Sequence, residues 1–276
     1  MAEITAAAVM GLRKKTGLPM MDCKAALTEA GGDEDKAVEL LRKRGAQVLA
    51  KRSDRETAFG RFGLYIGLDK ERGAMVELMC ESAPVTQNEE FIQLANDLAE
   101  QLATGPGAET ADELLDQPSP SKDGMTLREQ KDDLFNRIRE VFNVGRMVRI
   151  DGGTGGYSHN AGTISGVLVG VEGGSDDLAR DVSMHVAAMR PAVLNIEDLN
   201  ADEVAKEREI LKAAALKEGK PENIVEKMVE GRLRNYYAER VLLEQPYVKD
   251  DKQSVGKYAK ANGMDVKVFH HWELGS

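Results

Sequence analysis

Apolar and polar positions alternate in two adjacent stretches of the chain. Phe62-Gly63-Leu64-Tyr65-Ile66-Gly67-Leu68 is followed, across a turn at Asp69 to Gly73, by Ala74-Met75-Val76-Glu77-Leu78-Met79-Cys80. Two such runs joined by a short turn containing glycine predict a β-hairpin. The period then changes. Phe91, Leu94, Ala95, Leu98 and Leu102 share one face at helical spacing, and Thr86 with Glu89 reads as a capping box at the start of that helix. Residues 104–124, rich in Gly, Pro, Asp and Ser, predict a loop. A helix at about 126–142 and a strand at Met147–Ile150 follow. Tyr157 and Gly162 to Val171 predict a second hairpin, and Asp176 to Met189 a second amphipathic helix stopped by Pro191. Hairpin-then-helix thus occurs twice, as a pseudo-repeat.

Both blocks are flanked by helical sequence. Residues 5–45 predict three short helices, with Thr5, Asp22 and Asp33 as caps and Val9, Leu12, Val38 and Leu41 among the apolar positions. Thr16-Gly17-Leu18-Pro19, Gly31-Gly32 and Gly45 are the expected stops. Residues 46–58 are charged and aperiodic, and read as a linker. Residues 201–243 are strongly helical with one break at Gly219-Lys220-Pro221. Val204, Leu211, Ala214, Ile224, Met228, Leu233 and Tyr237 supply its apolar positions, which predicts two antiparallel helices. At 1.5 Å per residue each arm would be roughly 25–35 Å long. A short helix near 255–261 and a strand from Val266 to Glu273 close the chain. The class expected is α+β. The expected division is 1–52 as a helical module, 53–143 and 144–276 as two halves of a core, with the hairpin at about 201–243 inside the second.

Composition removes several classes of function. No apolar run approaches the ~20 residues of a membrane span, and Met1-Ala2-Glu3-Ile4 does not open a basic region followed by an apolar stretch, so no signal peptide is expected. The formal net charge of −10 argues against sequence-independent binding to nucleic acid. The charge is uneven: residues 1–52 hold ten Lys/Arg against seven Asp/Glu, and a mildly basic module could meet an acidic protein face. Two cysteines, Cys23 and Cys80, fit no metal or redox spacing and indicate a reduced, cytoplasmic protein in which both pack as small apolar residues.

Candidate chemistry is sparse. Asp151-Gly152-Gly153-Thr154-Gly155-Gly156 lacks the Lys-Ser/Thr ending of a phosphate loop and reads as a glycine turn between strands. Ser158 and His159 have no third partner that would make a triad. His270 and His271, adjacent in a strand, point to opposite faces. No catalytic residue, metal site or cofactor is expected, and the chain reads as something other than an enzyme.

One segment is more specific. Thr16-Gly17-Leu18-Pro19-Met20-Met21-Asp22-Cys23-Lys24-Ala25-Ala26-Leu27 closely resembles the signature of the elongation factor Ts family. Gly166-Val167-Leu168-Val169, Met184-His185-Val186-Ala187-Ala188, Glu226-Lys227-Met228-Val229-Glu230-Gly231-Arg232 and Gln245-Pro246-Tyr247-Val248 follow in that family's order, so the resemblance covers nearly the whole chain. It implies an N-terminal three-helix module like a ubiquitin-associated domain, a core of two β-sheet/helix halves and a protruding antiparallel coiled-coil hairpin. It further implies a guanine-nucleotide exchange factor that binds elongation factor Tu, GDP-bound and nucleotide-free, without nucleic acid or membrane contacts. The alternative is a diverged binding module that stabilises or sequesters elongation factor Tu with reduced exchange.

The resemblance also implies site residues. Leu12, Met20 and Met21 would form an apolar patch that grips the GTPase domain of the partner; equally, Leu12 could fill the three-helix core. His159 and the helix carrying His185 lie in the half that meets the partner's third domain, with a contact inside its own domain as the other reading of His185. The family's Thr-Asp-Phe-Val, which reaches toward the partner's magnesium and phosphate region, is replaced here by Ser82-Ala83-Pro84-Val85. That loop therefore lacks the usual charge and ring, and is expected to act as a stiff apolar prow capped by Val85. Some members continue into a further helical module. This sequence stops at Trp272-Glu273-Leu274-Gly275-Ser276, so that contact is expected to be missing.

Overall fold

In the computed structural model, residues 4–52, 54–218 and 221–275 are described. The chain forms two compact units. One comprises the residues up to Tyr65, Ala74–Arg149 and those from Leu274 on; the other comprises Ile66–Gly73 and Ile150–Glu273. The class is α+β, as the alternation of periods predicts.

The first unit opens with three helices: α1 (Ala6–Thr16), α2 (Met20–Glu29) and α3 (Glu34–Ala50). Thr5 caps α1 and Asp33 caps α3, each side chain accepting a backbone N–H of the first turn. Their own small core holds Val9, Leu12, Leu18, Cys23, Ala26, Leu27, Ala37 and Leu41. Two boundaries differ from expectation. Asp22 does not cap α2, which starts two residues earlier behind Pro19, whose ring presets the backbone. Gly45 does not stop α3, and the expected linker is helical as far as Ala50. A Cβ at Gly45 would lie 1.8 Å from Asn136 Oδ1, so this glycine serves a close helix–helix approach.

The hairpin of β1 (Phe59–Tyr65) and β2 (Arg72–Cys80) is antiparallel, with Gly63 opposite Val76. A 3-10 turn (Ala83–Gln87) leads into α4 (Glu89–Thr104). Asn88, not Thr86, caps α4: Asn88 Oδ1 accepts from the N–H groups of Glu90 and Phe91, while the Thr86 hydroxyl donates to Ala83 O. The expected 104–124 loop contains one short helix, α5 (Ala111–Leu115), before α6 (Leu127–Ile138) and β3 (Phe142–Asp151). α6 carries a full capping box at Thr126 and Glu129. β3 is longer than expected because Asn143, Gly145, Arg146 and Arg149 interrupt its alternation in sequence; it completes the sheet in the order β1-β2-β3. α4 lies on the sheet over a core of Val76, Leu78, Phe91, Leu94, Leu98, Leu134 and Phe142. Burying each such large side chain contributes about 1.5–3 kcal/mol.

The second unit repeats the theme. β4 (Thr154–His159) and β5 (Ser165–Gly173) form an antiparallel hairpin, and α7 (Asp176–Met189) follows, capped by Ser175. In both units the helix after the hairpin presses on its first strand at a glycine. A Cβ at Gly63 would sit 1.8 Å from Ala95 O of α4, and one at Gly155 would sit 2.5 Å from Ala179 Cβ of α7. The pseudo-repeat therefore extends to the packing. α8 (Ala201–Lys217) and α9 (Glu222–Arg240) pack through Ala215, Val225, Val229 and Leu233, with Leu211, Met228 and Tyr237 beside them. Arg208 pairs with Glu230, and Lys212 with Glu226. Of the expected break, Gly219 and Lys220 lie outside the described residues. A two-stranded ribbon, β6 (Pro246–Tyr247) and β7 (Asp250–Ser254), precedes α10 (Val255–Ala261) and β8 (Met264–Glu273), which pairs antiparallel with β5.

Candidate functional site

The segment from Thr16 to Leu27 explains itself residue by residue. The Thr16 hydroxyl donates to Leu12 O, and Gly17, at φ 69°, ends α1 by donating its N–H to Arg13 O. A side chain at position 17 would be strained there, and would also lie 2.8 Å from Arg137 Cδ. Leu18, Cys23, Ala26 and Leu27 turn inward. Met20 and Met21 occupy the first turn of α2 and stay outside, 45% and 71% exposed. Asp22 beside them pairs with Arg139 at 2.7 Å. Leu12 is fully buried, so it belongs to the core beneath the methionines and not to the surface. Met10, 62% exposed, is a further uncovered methionine of the same module. Sequence reading missed it because it stands between the apolar positions Val9 and Leu12 and was not counted with either.

The Ser82–Val85 segment is held at both ends. The Ser82 N–H and hydroxyl both donate to the Glu140 carboxylate, at 3.0 and 2.5 Å. Arg61 donates to Thr86 O at the far end. Ala83 and Pro84 are exposed, whereas Val85 is buried in the core under α4. Val85 is thus the anchor of the turn, and its tip is Ala83-Pro84; a buried isopropyl group cannot cap a prow.

The two histidines part company. His159 is exposed at the end of β4, its Nδ1 3.0 Å from the Tyr157 hydroxyl. His185 is fully buried in α7. The Gln245 amide donates to Met189 O and Glu239 O, leaving Gln245 Oε1 to accept from His185 Nε2 at 3.0 Å. His185 Nδ1 then accepts the Val248 N–H at 3.2 Å. Both contacts fit a neutral ring, and burial lowers its pKa below the ordinary imidazole value. Its direct contacts are internal, and through Val248 they hold an exposed apolar side chain at the surface.

Reactive groups are muted. Both thiols are buried, and burial, with Glu140 nearby, pushes the Cys80 thiol up to about 12, far from a thiolate nucleophile. Among the described residues, no group of three His, Cys, Asp or Glu side chains is arranged to hold a metal ion, and no helix is long and apolar enough to cross a membrane. A cleft of about 300 Å³ between α3 and α6 is lined by Gly45, Ala46, Leu49 and Phe135 with charged side chains at its rim. Met20 and Met21 thus stand exposed above a closed core, and the Ala83-Pro84 tip is bare between fastened flanks.

Comparison with known proteins gives the family. The family described as Elongation factor TS matches residues 84–276. Elongation factor Ts of Methylococcus capsulatus is 41% identical over 276 residues, covering 99% of this chain and 92% of that protein. Elongation factor Ts proteins of two Clostridium botulinum strains are 43% and 42% identical over 286 residues, each covering 99% of this chain and 93% of the relative. The likeness therefore includes the three-helix module that precedes residue 84. This chain belongs to the elongation factor Ts family.

Proposed function

We propose that the chain is a cytoplasmic guanine-nucleotide exchange factor that binds elongation factor Tu and promotes release of GDP. The observation that carries this reading is family membership across 99% of the chain together with the outward-facing Met20-Met21 pair in its most specific segment. Met20 and Met21 are the adaptable apolar anchors, and Leu12 supports them from below. The Ala83-Pro84 tip enters the partner near its nucleotide, stiffened by proline and seated by Val85. His159 offers a polar contact from the second half of the core, and His185 keeps Val248 in place. Residues 1–52 form the docking module, 53–143 and 144–276 the two halves of the core. The factor uses no cofactor or metal of its own and makes no direct contact with nucleic acid or membrane.

No covalent step is required. A protein that binds the GTPase with its phosphate and Mg²⁺ contacts loosened weakens GDP binding, and linkage makes GDP weaken the factor by the same ratio. A thousandfold weakening corresponds to about 4 kcal/mol of coupling. Titration calorimetry of this protein into elongation factor Tu, nucleotide-free and loaded with GDP and Mg²⁺, tests the reading. We expect affinity for the nucleotide-free form to be at least a hundredfold higher. Equal affinities would leave a protein that only holds its partner.

A further inference from the structure

Two consecutive residues fasten both surface features of the first unit. α6 ends at Ile138, and Arg139 follows at φ 65°, a backbone conformation that favours glycine. A glycine would close the helix there without strain, but it would carry no guanidinium. That guanidinium reaches Asp22 in the first turn of α2, directly beside Met21, at 2.7 Å. The Arg139 carbonyl is held in turn by Arg52 Nη1 at 2.8 Å. The next residue, Glu140, takes both donors of Ser82. A reciprocal pair lies alongside: the Val141 N–H donates to Glu81 Oε1 at 2.8 Å, and Glu81 Oε2 accepts from Arg55 at 2.8 Å. Neighbouring Cα atoms are 3.8 Å apart, so the start of the methionine helix and the entry to the Ala83-Pro84 tip share one short base.

We infer that Arg139 and Glu140 are positioning residues for nucleotide exchange, fixing the Ala83-Pro84 tip in register with the Met20-Met21 helix. The inference rests on the exchange reading above. Docking through the methionines then delivers the tip to one place on the partner. A tip fastened in advance loses little conformational freedom on entering, and a small displacement of a group that acts at a reaction centre is costly. Glu140 governs the tip, and Arg139 governs its spacing from the helix. Neither needs to touch the nucleotide.

The test uses the full chain in three variants: Glu140→Ala, Glu140→Gln and Arg139→Gly. Amide hydrogen exchange of residues 82–88 is measured in the free protein, and release of a fluorescent GDP from elongation factor Tu is measured against factor concentration. For Glu140→Ala we expect amide exchange at least tenfold faster, a maximal release rate about tenfold lower, and a half-saturating concentration within twofold of the parent. Glu140→Gln, whose amide can accept the Ser82 N–H and donate to the Ser82 oxygen, should recover most of the rate. Arg139→Gly relaxes the backbone while removing the link to Asp22, and should lower the maximal rate about threefold with thermal stability kept. A Glu140→Ala protein with lowered melting temperature but an unchanged maximal rate would overturn the positioning role while leaving the exchange reading standing. A parent protein that does not accelerate GDP release would overturn the exchange reading itself, whatever the amides do.

Discussion

Leu12, which the sequence left open between the methionine patch and the three-helix core, lies in the core in the structure while Met21 lies outside, and mutation separates the two. Leu12 is fully buried in a core of eight residues, while Met21 is 71% exposed. Leu12→Ala removes three carbons and leaves a cavity that the small helices can only partly close, at a cost of about 3 kcal/mol. A unit of about 45 residues has a stability of roughly 5 kcal/mol at ~0.1 kcal/mol per residue. More than half of the module's margin would go, and at 1.4 kcal/mol per decade the open population rises about a hundredfold. Hydrogen exchange read by mass spectrometry should show amides of α1 and α2 exchanging about a hundredfold faster and those of β1, β2 and α4 moving far less, because Leu12 lies in its own buried cluster and only Val48 and Leu49 of α3 pack against the larger one. The double variant Met20→Ala, Met21→Ala should move the same amides less than about threefold, since exposed positions change stability by about 0.5 kcal/mol or less. It should still weaken binding to elongation factor Tu tenfold or more, as apolar anchors do. Unchanged exchange in Leu12→Ala, or a hundredfold rise in the methionine variant, would refute the division into scaffold and patch.

Gly63→Ala and Gly155→Ala should each lower the thermal midpoint by about 4–12 °C, because overpacking costs about 1–3 kcal/mol at about 4 °C per kcal/mol for units of this size. The larger loss is expected at Gly63, where the obstacle is a backbone carbonyl; Gly231→Ala, with open space around it, should instead stabilise by several tenths of a kcal/mol, and a melt ranking the three otherwise would contradict the packing described. Acid should also destabilise the second unit. Burial lowers the pKa values of His185, His270 and His271 from 6.5, so above 6.5 the neutral rings cost nothing, and below it the unfolded chain takes up protons that the folded one refuses. Urea midpoints should therefore fall between pH 7.5 and 5.5, less steeply in His185→Asn, and a flat profile would contradict the buried neutral network.

The periods of two and 3.6 carried most of the fold because each unit packs amphipathic helices against a sheet. Strand β3 escaped because its polar positions sit half-buried among ion pairs, such as Arg146 with the buried Glu77, which hides the alternation. Gly45 read as a helix stop but is a close approach, a distinction that depends on what lies opposite. Thr86-Glu89 matched a capping pattern, yet Asn88 took the role once the proline turn had placed it one residue ahead of the helix. At the candidate site, Met20 and Met21 were legible through the resemblance of the Thr16–Leu27 segment to its family's signature. The burial of Leu12, Val85 and His185 was not, since an apolar residue next to a surface patch looks the same in sequence whether it faces in or out. Arg139 and Glu140 carried no motif at all; their partners are 117 and 58 residues away.

The most direct measurement is release of fluorescent GDP from elongation factor Tu in the presence of one-twentieth as much of this protein, with excess unlabelled GDP. We expect every GTPase molecule to be discharged in a single exponential, faster in proportion to the amount of factor, with the rate falling at least tenfold when Met20 and Met21 are both alanine. Release that stops at the stoichiometric fraction, or that proceeds no faster than without the protein, would contradict nucleotide exchange.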